Sequence, residues 1–360
     1  MLELYTYRIP FKQPFITGAG TFNFREGLLV RYYDQNTDVV SEVAPLPGFS
    51  DETLDRASSD LRSIKLKADQ FFGGPFLPED LNRWIQRNTA IPSVAFGLSS
   101  LGLFILSARK QAPVHKILNM DSPAVLQVNS VIGSTSETDF LNKADAFFGD
   151  GFSVLKCKVT SEIGHLPESM KKITEKYSGI TFRLDANRSW PRQKLPELSS
   201  KFDHLPIEYI EEPCPVKSIN DLKTVIAQSS LPVAADESLT EFGLINVIEK
   251  LNTLPFLIIK PMLHGNLMEL FATISRRFHL ENRVIITTAL ESAVGTRAIV
   301  SIAAMIGSRS TAHGLNTGTL FQTNLFEENI GTDGTFHLNQ NSKSWLSLHD
   351  INQTLITPLL

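Results

Sequence analysis

VLKCKV (154–159), FRLDAN (182–187), YIEEP (209–213), VAADES (233–238) and LIIKP (257–261) are short apolar runs that each carry charge toward the C-terminal end. The ladder begins with the pair Lys156 and Lys158 and continues through Asp185, Glu211, Asp236 and Lys260. Its steps are about 25 residues, roughly one strand plus one helix of a parallel barrel. Burying an unpaired charge costs several kcal/mol. Charges at strand ends therefore belong on an open rim, and regular spacing places them on one rim of a closed (β/α) barrel.

The runs on either side extend this pattern. LQVNSVI, SVLKCKV, ITFRLDA, IEYIEEP, PVAADES, FLIIKPM, VIITTAL and the short TAHG read as strands. Helical segments such as INDLKTVIAQ and LMELFATISRRF separate them, and parallel strands need such crossovers. An open doubly wound sheet is the competing layout, but no GxGxxG or GxxxxGK[ST] occurs. The fold class is thus α/β, a (β/α) barrel of the modified TIM type with an N-terminal α+β capping domain. The capping domain is assigned to residues 1–91, from strands LELYTYRI and GLLVRYYD and two amphipathic helices within 51–88. The barrel is assigned to 92–320, opening with SVAFGLSSLGLFILSA, which is apolar nearly all round like a helix buried between layers. Residues 321–360 turn polar, with TFHLN as the expected last strand, and are expected to return to the capping domain.

A chain of 360 residues and 40.0 kDa accommodates one barrel of roughly 250 residues plus about 100 more. Hydrophobic content of 42%, charged content of 20%, net charge −4 and pI near 6.1 give no electrostatic case for nucleic acid or an anionic membrane. No apolar run is read as approaching the roughly 20 residues of a membrane span. The first residues alternate like a strand and lack the pattern of a signal peptide. Cys157 and Cys214 are expected to be buried, reduced thiols, which fits a cytoplasmic protein.

Asp185, Glu211 and Asp236 end three successive strands, so their carboxylates should meet. Three such charges repel unless a cation joins them, and an all-carboxylate set suits Mg²⁺. Glu212 and Glu237 follow two of these acids. Alternation favours Glu211 and Asp236 as ligands, with Glu212 and Glu237 as partners for lysines or loops, but strand ends bend and the order within each pair stays open. Lys156 and Lys158 share a face, and Lys260 lies across the barrel. A lysine desolvated beside another cation is expected to have a lowered pKa and to serve as a base, and the set suits proton removal α to a carboxylate.

The series LKCK, LDANRSW, IEEP, ADES and IKP resembles the muconate-lactonizing branch of the enolase superfamily across most of the chain. Within that branch LDANRSW, TTALESAVG and AHGLNTGTLF are similar to the o-succinylbenzoate synthases of menaquinone biosynthesis. A lysine base with Mg²⁺ is the general pattern of that superfamily. The resemblance implies that Lys158 abstracts the proton while Lys260 faces it and makes a cation–π contact with the substrate ring. It implies that Asp185, Glu211 and Asp236 hold Mg²⁺, with Mn²⁺ tolerated, that Asn187 orients Lys158 or a carboxylate, and that Lys156 supports the metal-bound carboxylate. The implied reaction is a lyase's syn elimination of water from a small dicarboxylate, a succinyl-bearing hydroxycyclohexadiene carboxylate. Racemisation of N-succinylamino acids and muconate-type cycloisomerisation are the alternatives. Gly314 to Gly318 carry no acid to pair with a substrate ammonium, which argues against a dipeptide epimerase.

Ser292 and Gly295 stand where a helix would begin and are expected to offer donors to the succinyl carboxylate, Ser292 being equally placed as a helix N-cap. The turn Gly18 to Thr21, followed by Phe22 and Phe24, is a candidate lid with Thr21 at its edge. His313 is expected to be a core histidine.

Overall fold

The computed structural model describes all residues except 18–19, 119–121, 134–135, 252–254, 277–282, 308, 328–332, 339–342 and 360. Strands β1 (Leu2–Thr17), β2 (Gly20–Tyr33) and β3 (Asp38–Val43) form an antiparallel meander. Helix Leu54–Gly73 packs on it, burying Ala57, Leu61, Ile64, Ala68 and Phe72 at helical spacing. Thr53 caps this helix, its side chain accepting from Arg56 N at 3.2 Å.

Helix Pro92–Lys110 follows, buried from Ser93 to Ala108. One expectation is corrected here: by length and composition this helix could cross a membrane. Its apolar window is 89% buried inside the protein, so the run is spent on the core between sheet and barrel.

After a short strand β4 (Val125–Gln127), the barrel strands are β5 (Ser130–Ile132), β6 (Val154–Lys158), β7 (Thr181–Asp185), β8 (Ile207–Glu211), β9 (Val233–Ala235), β10 (Phe256–Ile259) and β11 (Val284–Ile286). Strands β5 to β11 form one parallel sheet in chain order. The segment around His313 closes it through bridges Val128↔His313 and Thr287↔Gly314. His313 N donates to Gln127 O at 2.7 Å, and Gly314 N to Ile286 O at 3.0 Å. TAHG is therefore a closing bridge too short for a ladder. LQVNSVI, expected as one strand, is two: β4 leaves the barrel and pairs antiparallel with β12 (Thr335–His337). Alternation is kept along the strands apart from a register shift between β7 and β8 at Phe182/Arg183. Tyr209, Ala234, Ile258 and Ile285 fill the interior as a small separate cluster, while Leu155, Cys157, Leu184, Ile210 and Ile259 join the main core outside.

Arg183, fully buried, was not singled out from the sequence. Its guanidinium donates to Glu208 at 2.7 Å, Asn129 at 3.0 Å, Thr311 at 2.7 Å and the Ala312 carbonyl at 2.8 Å. It joins the closing segment to β7 and β8, compensating for the missing ladder. His313 is a core residue whose Nδ1 accepts from Ile286 N at 3.2 Å. Cys157 and Cys214 are free and buried, and burial pushes the Cys214 thiol up to about 11.

The tail runs back to the first sheet. Val40 bridges Leu346, and β13 (Ile356–Pro358) pairs with β1, from Tyr7↔Ile356 to Tyr5↔Pro358. TFHLN is thus neither the last strand nor part of the capping sheet.

Gly97 is where helix Pro92–Lys110 touches β3 most closely: a Cβ there would lie 2.2 Å from Val43 Cγ2 and 2.9 Å from the Glu42 carbonyl oxygen. Gly97→Ala is expected to destabilise the protein by about 1–3 kcal/mol through overpacking, measured by urea unfolding. An unchanged midpoint would show that this contact yields.

Candidate active site

The register of the barrel brings the strand ends together. Lys158 is the lateral partner of Asp185, and Asp185 of Glu211. Asp236 and Lys260 follow directly after β9 and β10. Asp185, Glu211 and Asp236 are 6%, 1% and 4% exposed, which makes their mutual repulsion expensive.

Lysines stand among them. Lys156 Nζ lies 3.0 Å from Asp185 Oδ2 and 2.7 Å from Glu211 Oε2, and Lys260 Nζ donates to Asp236 Oδ2. Burial, reinforced by the charges of Asp185 and Asp236, pushes the Glu211 carboxyl well above its usual range despite Lys156. Burial also acts on Asp185, but Lys156 and Lys158 outweigh it and hold that carboxyl low. The expectation of lowered lysine pKa values does not hold for Lys156 and Lys260. Burial acts to lower both, yet Asp185 and Glu211 hold Lys156 above its ordinary value, and Asp236 does the same for Lys260. Lys158 differs: it is exposed, donates to Asn187 Oδ1 at 2.9 Å, and has no carboxylate within ion-pair distance among the described residues.

The acidic pairs resolve in space. Glu211 faces the barrel interior, while Glu212, at φ 39°, swings its carboxylate onto the next loop. Glu237 was expected to partner lysines or loop amides. Instead its Oε2 is buried with no hydrogen-bond partner among the described residues. Burial, then the Asp236 charge, pushes this carboxyl up to about 7. A buried, unpartnered carboxylate oxygen next to Asp236, on a rim that also carries Asp185 and Glu211, is the kind of hard oxygen donor a divalent cation takes. Among the described residues, however, no three acids stand close enough together to form a ready-made metal site.

Ser292 and Gly295 are corrected. They do open helix Ala293–Ile306, and Ser292 is its N-cap, accepting from Val294 N at 3.2 Å. The anion they hold is Glu42 of β3. Ser292 N and Gly295 N donate to it at 3.0 and 2.8 Å, the Ser292 hydroxyl donates to Oε2, and the Tyr7 hydroxyl to Oε1. A helix N-terminus attracts negative charge, and the capping domain supplies it from within the chain. Glu42, in VVSEVAP, carried the same signal as the barrel rim, an acid inside an apolar strand.

Two further residues were missed. Phe49, on the loop after β3, places its ring 5.5 Å from Lys260 Nζ, so the cation–π partner seen for Lys260 is a capping-domain side chain. His264, beyond Lys260, is pushed down to about 4, chiefly by burial. Thr21 lies exposed on β2, and residues 18 and 19 of the candidate lid fall outside the described residues. Phe22 and Phe24 line a cavity of about 300 Å³ with Phe11, Phe15, Leu46 and Pro47.

Beside Glu42, the fully buried Glu291 is pushed up to about 7, by burial first and then by the Glu42 charge. Arg25 opposes this, but its own hydrogen bonds go to the carbonyls of Leu290, Glu26, Pro45 and Ala44. Because the folded value lies above the ordinary 4.5, stability is greatest below pH 4.5 for this group and is lost as pH rises through about 7. The loss is on the order of 3 kcal/mol. Urea unfolding at pH 5 and pH 8 should show Glu291→Gln less destabilised at the higher pH than the parent. Identical pH dependence would exclude the effect.

The family model described as "Enolase C-terminal domain-like" matches residues 139–339, and the model "MenC, N-terminal domain" matches residues 1–103. The o-succinylbenzoate synthase of Salmonella arizonae is 28% identical over 330 residues, covering 89% of this chain and 92% of the relative. That of Aliivibrio fischeri is 26% identical over 328 residues, covering 90% and 92%. Among solved structures, an N-succinyl Arg/Lys racemase from Bacillus cereus aligns with a TM-score of 0.81 at 17% identity, covering 100% and 99% of the two chains. A dipeptide epimerase from Enterococcus faecalis, complexed with Mg and L-Leu-L-Tyr, aligns with a TM-score of 0.79 at 19% identity, covering 96% and 98%. These two structures share the fold.

Proposed function

The chain belongs to the enolase C-terminal domain-like family, whose model matches more than half of it, and from that membership we propose its reaction and the role of each rim residue. It is an o-succinylbenzoate synthase, a lyase that dehydrates 2-succinyl-6-hydroxy-2,4-cyclohexadiene-1-carboxylate to o-succinylbenzoate. The curated relatives of that name align along about nine-tenths of the chain. The observation that carries the chemistry is the separation of roles among the lysines. Lys156 and Lys260 are tied to the carboxylates, while Lys158 stands exposed at the rim, hydrogen-bonded to Asn187 and, among the described residues, with no carboxylate within ion-pair distance.

Lys158, as the base, takes the proton from the ring carbon bearing the carboxylate. Its hydrogen bond to Asn187 fixes where Nζ points, so the amine meets one face of the ring. The electron pair of the broken C–H bond forms the new ring double bond as the C–O bond to the hydroxyl breaks. Lys158 returns its proton to the leaving oxygen, and water departs. Syn geometry lets one residue serve as both base and acid. Lys260 stays protonated, held so by Asp236, and its charge offsets the anion from the other wall. Asp185, Glu211 and Asp236 would hold a divalent cation, Mg²⁺ with Mn²⁺ as a substitute. Bound there, the ion offsets the carboxylates' repulsion and the negative charge gathered by the substrate carboxylate as its α-proton leaves. Lys156, between Asp185 and Glu211, supports that carboxylate. With Ser292 and Gly295 engaged by Glu42, the succinyl arm is directed toward the capping-domain loops, where Phe49 lies beside Lys260.

Ultraviolet absorbance of the aromatic product provides the test. With the diene and Mg²⁺ the protein should form product, EDTA should stop it, and added Mg²⁺ should restore it. Lys158→Ala should lower kcat by roughly 10²–10⁴-fold while leaving the fold intact by circular dichroism. No turnover by a protein shown to bind Mg²⁺ would overturn the assignment.

A further inference from the structure

Three residues beside the rim share an uncommon backbone conformation. Asn187, Arg188 and Glu212 all adopt left-handed backbone, with φ of 42°, 61° and 39°. Arginine and glutamate rarely adopt this conformation, and such residues persist where the surroundings over-determine them. The surroundings here are one network. Arg188 N donates to the Glu212 carbonyl at 2.7 Å, and its Nε to Glu212 Oε2 at 3.1 Å. The other end of the guanidinium forks onto Glu241, at 2.6 and 3.0 Å, and reaches Ser238 Oγ at 3.3 Å. The buried Glu212 carboxylate accepts from Asp236 N at 3.0 Å, Ser238 N at 2.8 Å and the Ser238 hydroxyl at 3.0 Å.

The network touches each rim group through its neighbour in the chain. Glu212 follows Glu211 and grips the main chain of Asp236. Arg188 follows Asn187, which holds Lys158, and Asn187 N donates to Asp185 Oδ1 at 3.3 Å. A strap that served only stability could join any atoms of the three loops. This one ends on the backbone amide of a rim acid and on the peptide next to the residue that aims the base. A bidentate guanidinium fixes direction as well as distance.

We propose that Arg188, Glu212 and Glu241 form a positioning strap that sets the spacing of Asp185, Glu211 and Asp236 and the aim of Lys158. It restrains the backbone beside the three acids against their mutual repulsion, which limits how far they must move to meet around a divalent cation. This inference rests on the reading of the three acids as the metal ring. Its parts are positioning residues, since none touches the substrate.

The test is Mg²⁺ titration calorimetry on the purified metal-free full chain, with kcat measured at saturating Mg²⁺ and melting temperature recorded alongside. Arg188→Met should weaken Mg²⁺ binding and lower kcat, each by roughly 10–100-fold, the usual range for groups that orient metal ligands. Arg188→Lys should recover part of both, because an ammonium restores the charge but not the fork. Glu241 is half-exposed, so Glu241→Gln removes the outer anchor without disturbing the core, and it should shift both quantities the same way by less. Mg²⁺ affinity unchanged in Arg188→Met and Glu241→Gln, while the wild type binds Mg²⁺, overturns the strap alone. A wild type that binds no Mg²⁺ overturns the metal ring, and the strap with it.

Discussion

Repulsion among three carboxylates at neighbouring strand ends is the constraint around which the barrel rim is organised. Asp185, Glu211 and Asp236 are each less than a tenth exposed, and like charges at this depth cannot all ionise without compensation. Lys156 between two of them and Lys260 on the third supply part of it. Burial and the neighbouring acids still push the Glu211 carboxyl up, and Glu237 Oε2 is buried without a hydrogen-bond partner among the described residues. A divalent ion is the complement proposed above.

The same logic governs the joint between the two sheets of the molecule. Glu42 on β3 is fully buried and enters the N-terminus of helix Ala293–Ile306, where two backbone amides and two hydroxyls receive it. That contact fixes the capping sheet to the loop after β11. It leaves Phe49, on the loop after β3, beside Lys260. The placement of Phe49 over the rim thus depends on the buried Glu42 side chain.

The rim is legible in the sequence because strand geometry is periodic. A charge ending an apolar run has a defined face, and spacing of one strand plus one helix supplies its neighbour. Lys156, Lys158, Asp185, Glu211, Asp236 and Lys260 stand at or near the ends of adjacent parallel strands for that reason. What escapes is whatever depends on contacts distant in sequence. Ser292 and Gly295 look like substrate donors until Glu42, some 250 residues earlier, is seen to fill their helix terminus. Glu212 cannot be separated from Glu211 by alternation, because its positive φ breaks the period. The direction of the lysine shifts depends on which carboxylates lie nearest. Arg183, in FRLDAN, reads as an ordinary strand residue, although it ties the closing segment to the barrel. Break points were equally hidden: LQVNSVI divides because β12 draws β4 out of the barrel.

The central claim is that the three strand-end acids form one cation site. Anomalous diffraction from crystals soaked in Mn²⁺ tests it most directly. One strong peak is predicted within coordination distance, about 2.0–2.3 Å, of carboxylate oxygens from Asp185, Glu211 and Asp236. The Lys156 and Lys260 ammonium groups should be displaced from the acids they pair with here. A peak elsewhere, or none in crystals that retain this packing of acids and lysines, would contradict the account.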